Sequence, residues 1–167
     1  MANARVQEFI DSLQNLLGNN LTDPNNERTN SKDAPFGWIY NTPVSFDIPQ
    51  YPRIHITKAN QQYDTFEIGR DSNGSIRLQN TGLVDIVILN HVDGEYDVDN
   101  DGENERPFDV IDYIATQVSD EIKNNQDRWI SLGDNSLSML PLNAQPVEVS
   151  KDSVEGFLVE AELKNIR

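Results

Sequence analysis

The stretch Asp97-Val98-Asp99-Asn100-Asp101-Gly102-Glu103-Asn104-Glu105 has the residue types and spacing that point most directly to chemistry. It matches the front half of a calcium loop, D-x-D-x-D-G. Carboxylates at alternate positions can wrap a hard cation, Ca2+ or Mg2+, and Gly102 permits the sharp turn that wrapping requires. The twelfth position of such a loop carries a bidentate Glu; here it is Phe108, and Asp109 follows one place later. The candidate ligands are Asp97, Asp99, Asp101, Glu103 and Asp109, with Asp93 and Glu95 close upstream. A cation held there is structural rather than catalytic. The same residues also fit a solvated acidic turn, and the sequence leaves both readings open.

Other chemistry has little to stand on. With no cysteine in the chain, disulfides, thiolate nucleophiles and Cys-based zinc sites are excluded. The two histidines, His55 and His91, rule out a three-histidine metal site within one chain. A Ser-His-acid triad would need one of them. His55 alternates with Ile54 and Ile56, which predicts a solvent-side strand position, and His91 precedes Asp93 at an expected turn. There is no G-x-S-x-G elbow, no Walker A motif and no G-x-G-x-x-G. Carboxylates are so abundant that no single pair is informative for glycosidase chemistry. The expectation is a protein that is not an enzyme and requires no cofactor.

Charge narrows the partners. Lys and Arg number 13 and Asp and Glu 28, a formal net charge of −15 over 167 residues. A nucleic-acid groove needs a basic stripe, and none is visible. Adhesion to an anionic membrane is disfavoured for the same reason, and no run of about 18 apolar residues could span a bilayer. The N-terminal stretch lacks the unbroken apolar core of a signal peptide. Asp outnumbers Glu, Arg outnumbers Lys, and Asn is abundant. This balance fits a halophilic protein kept hydrated in concentrated salt, where screening shortens repulsion to about 3 Å at 1 M.

The elements that must position these residues can be read from periodicity. Val6, Phe9, Ile10, Leu13, Leu16 and Leu17 form one helical stripe, with Gly18 at the expected C-terminal cap. Residues 19–50 read as a long polar loop interrupted by Phe36, Trp38, Ile39 and Tyr40. Those aromatics either pin the loop to the core as a short edge strand or reach a neighbouring subunit. Ile54 and Ile56 mark a strand, and a hairpin follows around 62–80 with a turn at Asn73-Gly74. Leu83 to Leu89 is apolar at both parities, so it is expected as a central strand, with a bulge near Gly82. An acidic loop at 93–106 precedes a second helix opened by Pro107, with Val110, Ile111, Ile114, Val118 and Ile122 as its stripe. Residues 131–146 look irregular, and a last hairpin carries Phe157, Val159, Ala161 and Leu163 on one face. The sum is an α+β fold in a single domain over 1–167: a small antiparallel or mixed sheet flanked by two helices, order α-β-β-β-α-β-β.

This layout resembles a family. A helix ending LLGNNLTDPNN, a loop with GWIY leading to YPRIHIT, a strand pair with IGRDSNG, the strand LVDIVIL, the helix DVIDYIATQVSDEI and a last strand pair ending GFLVEAELK are similar to the tail-completion and tail-terminator proteins of tailed viruses. The resemblance covers most of residues 3–165 and is one of element order. It implies a virion protein of the tail or neck, assembled in the host cytoplasm, forming a homo-oligomeric hexameric ring that ends the tail tube and joins it to the head connector. Its partners would be tail tube and connector proteins, and the acidic composition would suit a virus of a salt-loving archaeon. Phe36, Trp38 and Tyr40 are the candidate ring contacts, and the hairpin around 62–80 is the second candidate surface. The alternatives are another head-tail neck or minor tail protein, or a calcium-stabilised binding module.

Overall fold

A computed structural model describes residues 2–28, 37–46, 50–58, 64–70, 76–125, 130–132, 135–149 and 151–166. Two helices, α1 (Ala2–Asn20) and α2 (Pro107–Asn124), pack on one face of a single seven-stranded sheet. The strands are β1 (Ile39–Tyr40), β2 (Arg53–Lys58), β3 (Asp64–Arg70), β4 (Ile76–His91), β5 (Ile130–Leu132), β6 (Asn135–Val147) and β7 (Val154–Ile166). The five long strands and two helices follow the expected order. The short strand β1 is the edge strand, one of the two readings of the aromatic island, and the short strand β5 is an addition. The sheet runs β1-β2-β4-β7-β6-β5, with β3 also on β4. Every pairing is antiparallel except β1 with β2, so the sheet is mixed.

The central position of β4 follows from its sequence. Val84, Ile86 and Ile88 are buried under the helices, beside Ile54 and Ile56 of β2 and Phe157, Val159 and Ala161 of β7. Leu89, of the other parity, is buried on the opposite face with Tyr51 and Val154. A strand covered on both faces has no polar parity. β4 is continuous through Gly82. The irregularity falls on its neighbour: β2 ends at Lys58 opposite Val84, and β3 starts at Asp64 opposite Thr81.

Helix α2 buries the expected stripe, Val110, Ile111, Ile114, Val118 and Ile122, together with Ala115. Helix α1 buries Ile10, Leu13 and Leu17, and Gln14 donates to the Ile39 carbonyl at 2.8 Å, tying β1 to the helix. Gly18 is not the cap. Leu21, one turn after Leu17, is itself buried, and Leu21 N–H donates to the Leu17 carbonyl at 2.8 Å. The apolar stripe draws the turn past the glycine.

Three further expectations are corrected. Trp38 and Tyr40 are 1% and 2% exposed, so they pin β1 to the core and offer no side chain to a neighbouring subunit; Phe36 lies outside the described residues. His55 is fully buried rather than solvent-facing, because the segment 42–46 folds over that face of β2. Residues 131–146, expected as irregular, hold the end of β5 and most of β6; Pro141 and Pro146 lie beyond Leu137, where β6 pairs with β7 and, among the described residues, with no strand on its other side. The expected turn at Asn73-Gly74 lies outside the described residues.

Candidate metal centre

The acidic loop hangs between the end of β4 and the start of α2, and its two ends are clamped by one side chain. Asn90, fully buried, donates from Nδ2 to the Gly94 carbonyl at 2.7 Å and to the Pro107 carbonyl at 3.1 Å. The clamp leaves no room at position 94: a Cβ there would sit 2.3 Å from Asn90 Oδ1. Glycine is required by this close approach. Further along, Tyr96 and Glu105 form an isolated antiparallel bridge, with Glu105 N–H donating to the Tyr96 carbonyl at 2.9 Å. The eight residues between them are folded back on themselves.

Inside that hairpin the carboxylates organise the backbone. Asp97 accepts Asp101 N–H on Oδ1 at 3.1 Å and Gly102 N–H on Oδ2 at 2.9 Å. Asp101 N–H also reaches Asp99 Oδ1 at 3.3 Å, and Asp101 Oδ1 accepts Glu103 N–H at 2.8 Å. Val98 N–H donates to Glu105 Oε2 at 3.0 Å. Asn100 and Gly102 take positive φ, 59° and 91°. Asn and Gly are the residues that enter this region most readily, so the sequence supplies them where the turn demands.

The result is a group of four carboxylates, Asp97, Asp99, Asp101 and Glu105, whose ligand oxygens all lie within 4.8 Å of one another. Oxygen-rich groups of this kind can coordinate a divalent cation such as Ca2+ or Mg2+. Each carboxylate retains lone pairs beyond those used by the backbone. Desolvation pushes the Asp97 carboxyl up, but the Gly102 and Asp101 N–H groups outweigh it and hold the group below its usual range. Asp99 moves the other way: desolvation and the adjacent Asp101 and Glu105 charges raise it, against one N–H from Asp101. Neighbouring anions thus oppose each other's ionisation, and a bound cation would relieve that opposition.

Of the five sequence candidates, the structure brings together Asp97, Asp99 and Asp101 and leaves out Glu103 and Asp109. Glu103 contributes its N–H to Asp101. Asp109 is turned towards Arg106, with Nε to Oδ2 at 3.0 Å, in the first turn of α2. Glu105 takes the fourth place. The signal was present: counting from Asp97, Glu105 is the ninth residue, a ligand position in such loops.

Beside this group runs a cleft of about 660 Å³ between the segment 22–27 and the acidic loop, lined among others by Asp23, Glu27, Tyr96, Asp97 and Tyr113. Asp23 is neutralised by Arg28, Nε to Oδ2 at 2.6 Å. Burial raises the Tyr96 phenol, so it stays protonated at neutral pH.

A second polar group lies on the sheet face away from the helices. Arg53 and His55, both fully buried, hold the segment 42–46 against β2. Arg53 Nη2 donates to the Ser45 carbonyl, and its guanidinium sits 4.6 Å from the Tyr51 ring centroid. His55 Nδ1 lies 3.1 Å from the Thr42 carbonyl, an acceptor, so this nitrogen carries the hydrogen. Its ring stacks on Tyr40 at 5.1 Å and 16°. Desolvation dominates, and with the nearby Arg53 charge it drops His55 to about 4 despite the Thr42 contact. The geometry makes these two residues a strap for the overlying segment.

No family model matches this chain, and no curated protein matches it.

Proposed function

We propose that this chain is a structural virion protein of the tail-completion or tail-terminator kind, forming a ring that ends the tail tube and joins it to the head connector. The observation that carries the reading is the order of the long elements, α-β-β-β-α-β-β, in one mixed sheet flanked by two helices. That is the architecture the family resemblance implies. The role is assembly rather than catalysis, through heterologous contacts that close by rotation. The surface charge of −15 suits assembly in concentrated salt, where like-charged copies can approach. The acidic loop adds a divalent cation that stiffens the connection between β4 and α2. Electron microscopy of the purified chain in about 2 M KCl tests the reading. Closed rings of one rotational order support it; dispersed single chains at every concentration and salt refute it.

The four-carboxylate group favours a second reading, a cation-stabilised binding module without a ring. The double substitution Asp97→Asn with Asp99→Asn separates the two. The ring reading expects assembly to survive it. The module reading expects folding or ligand binding to be lost.

A further inference from the structure

The segment 42–46 lies over the sheet face away from the helices and forms neither helix nor strand. Its Val44 and Phe46 pack on Tyr51, Leu89 and Val154, a small cluster separate from the core beneath the helices. Among the described residues, that larger core takes no side chain from the segment. Side chains of β2 fasten it down. Arg53 Nη2 donates to the Ser45 carbonyl, and His55 Nδ1 to the Thr42 carbonyl at 3.1 Å.

The chain is anchored on either side of this flap. Before it, Asn41 Nδ2 donates to Asp11 Oδ1 of α1 at 2.8 Å. After it, the Tyr51 carbonyl accepts from Asn25 Nδ2, also at 2.8 Å. Neither bond involves a residue of 42–46, so the flap can lift with both intact.

Closure leaves polar groups unsatisfied. With Nδ1 donating to Thr42, the neutral His55 ring presents Nε2 as a bare acceptor. His55 Nε2 and the Tyr40 hydroxyl are both buried and have no hydrogen-bond partner among the described residues. Water would satisfy both, and a buried group left unpaired keeps its whole desolvation cost. Lifting the flap hydrates the two groups. It gives up the packing of Val44 and Phe46, which are only half-buried, and it leaves the larger core untouched. Segments with so few buried apolar contacts open at free energies well below that of global unfolding.

We propose that residues 42–46 are a flap that opens and closes on the folded protein, giving solvent and partner groups access to Tyr40, Arg53 and His55 while the sheet and both helices stay in place. The inference is independent of the ring reading. The two histidines of the chain supply the test. His55 lies under the flap, and His91, with a side chain 41% exposed, is the reference. Diethyl pyrocarbonate acylates an unprotonated imidazole nitrogen, so at about pH 7.5 it reads access to each ring. Initial rates at both residues are measured on the full chain by peptide mass spectrometry, and the globally unfolded population by Trp38 fluorescence. His55 should react at least about 10-fold more slowly than His91, through the open state. About 1 M urea, below the unfolding transition, should raise the unfolded population at least about 10-fold and the His55 rate by less than about 2-fold. Ile114→Ala, in the core beneath α2, should separate the two quantities in the same way. Phe46→Ala, in the flap, should raise the His55 rate at least about 10-fold and leave His91 unchanged. Circular dichroism checks the fold of each variant, and the urea series on the wild type decides the question without them. A His55 rate that climbs in proportion to the unfolded population, with urea or with Ile114→Ala, overturns the inference. So does a rate equal to that of His91, or one that a folded Phe46→Ala leaves unchanged.

Discussion

Replacing His55 with asparagine should flatten the acid side of the stability curve. The folded protein holds His55 at about 4, against 6.5 when solvated. A histidine that is neutral in the fold and protonates when unfolded contributes nothing to pH dependence above about pH 6.5. Below that, the unfolded chain takes up the proton first, so stability falls as the pH drops from about 6.5 to about 4 and levels out below. With 1.36 kcal/mol per unit, the full loss is about 3.4 kcal/mol, of which about 2.5 is gone by pH 4.5. In His55→Asn the new amide would keep an N–H for the Thr42 carbonyl but lose the stack on Tyr40, so the variant starts about 1–2 kcal/mol less stable at pH 7. The two curves should therefore converge and cross near pH 5. Urea unfolding followed by the fluorescence of buried Trp38, at half-unit steps from pH 7 to 4.5 in constant salt, reads the difference directly. The common titration of surface carboxylates cancels in the comparison. Curves that stay parallel over this range, or a His55 imidazole titrating near 6.5 in the folded protein, would refute the burial argument.

Other outcomes follow from the same geometry. Ca2+ at about 100 times its dissociation constant should raise the melting temperature by about 5–10 °C, and Asp97→Asn with Asp99→Asn should abolish the shift, as read by calorimetry with and without chelator. Gly94→Ala drives a Cβ to within 2.3 Å of Asn90 Oδ1, so urea denaturation should show a loss of about 1–3 kcal/mol. Asp85 faces Glu160 across β4 and β7, and desolvation, with the Glu160 charge, raises its carboxyl. Its ionised form is unfavourable at neutral pH, so Asp85→Asn should stabilise by about 0.5 kcal/mol at pH 7 for this partly exposed pair. That gain should vanish as the pH falls through the carboxylate range, which unfolding at pH 7 and pH 4 would reveal.

What could be read from the chain depended on whether burial was set locally. The stripes of α1 and α2 and the apolar run of β4 announce themselves because a whole face or both faces are covered along the element. Strand β6 is hidden by Pro141 and Pro146, which argue against a strand unless it is known that β5 pairs only with Asn135–Leu137 and leaves the proline half of β6 with β7 as its one strand partner among the described residues. His55 and Arg53 read as the polar side of β2; their burial comes from the segment 42–46, which folds over them from a distance no periodicity records. At the acidic loop the alternation from Asp97 was legible, and three of four clustered carboxylates were found from it. Asp109 stands out in the sequence because it is the carboxylate nearest the loop's twelfth position, whereas the Tyr96 to Glu105 bridge returns the chain to the loop's own beginning and brings in Glu105 instead.

The ring is the central claim, and the solution mass tests it most directly. Multi-angle light scattering in about 2 M KCl screens the surface repulsion to within a few Å. One chain weighs 18.9 kDa. A discrete species at about 113 kDa, six chains closed by rotation, is the predicted result. A single species at the mass of one chain, unchanged by salt and concentration, would contradict it.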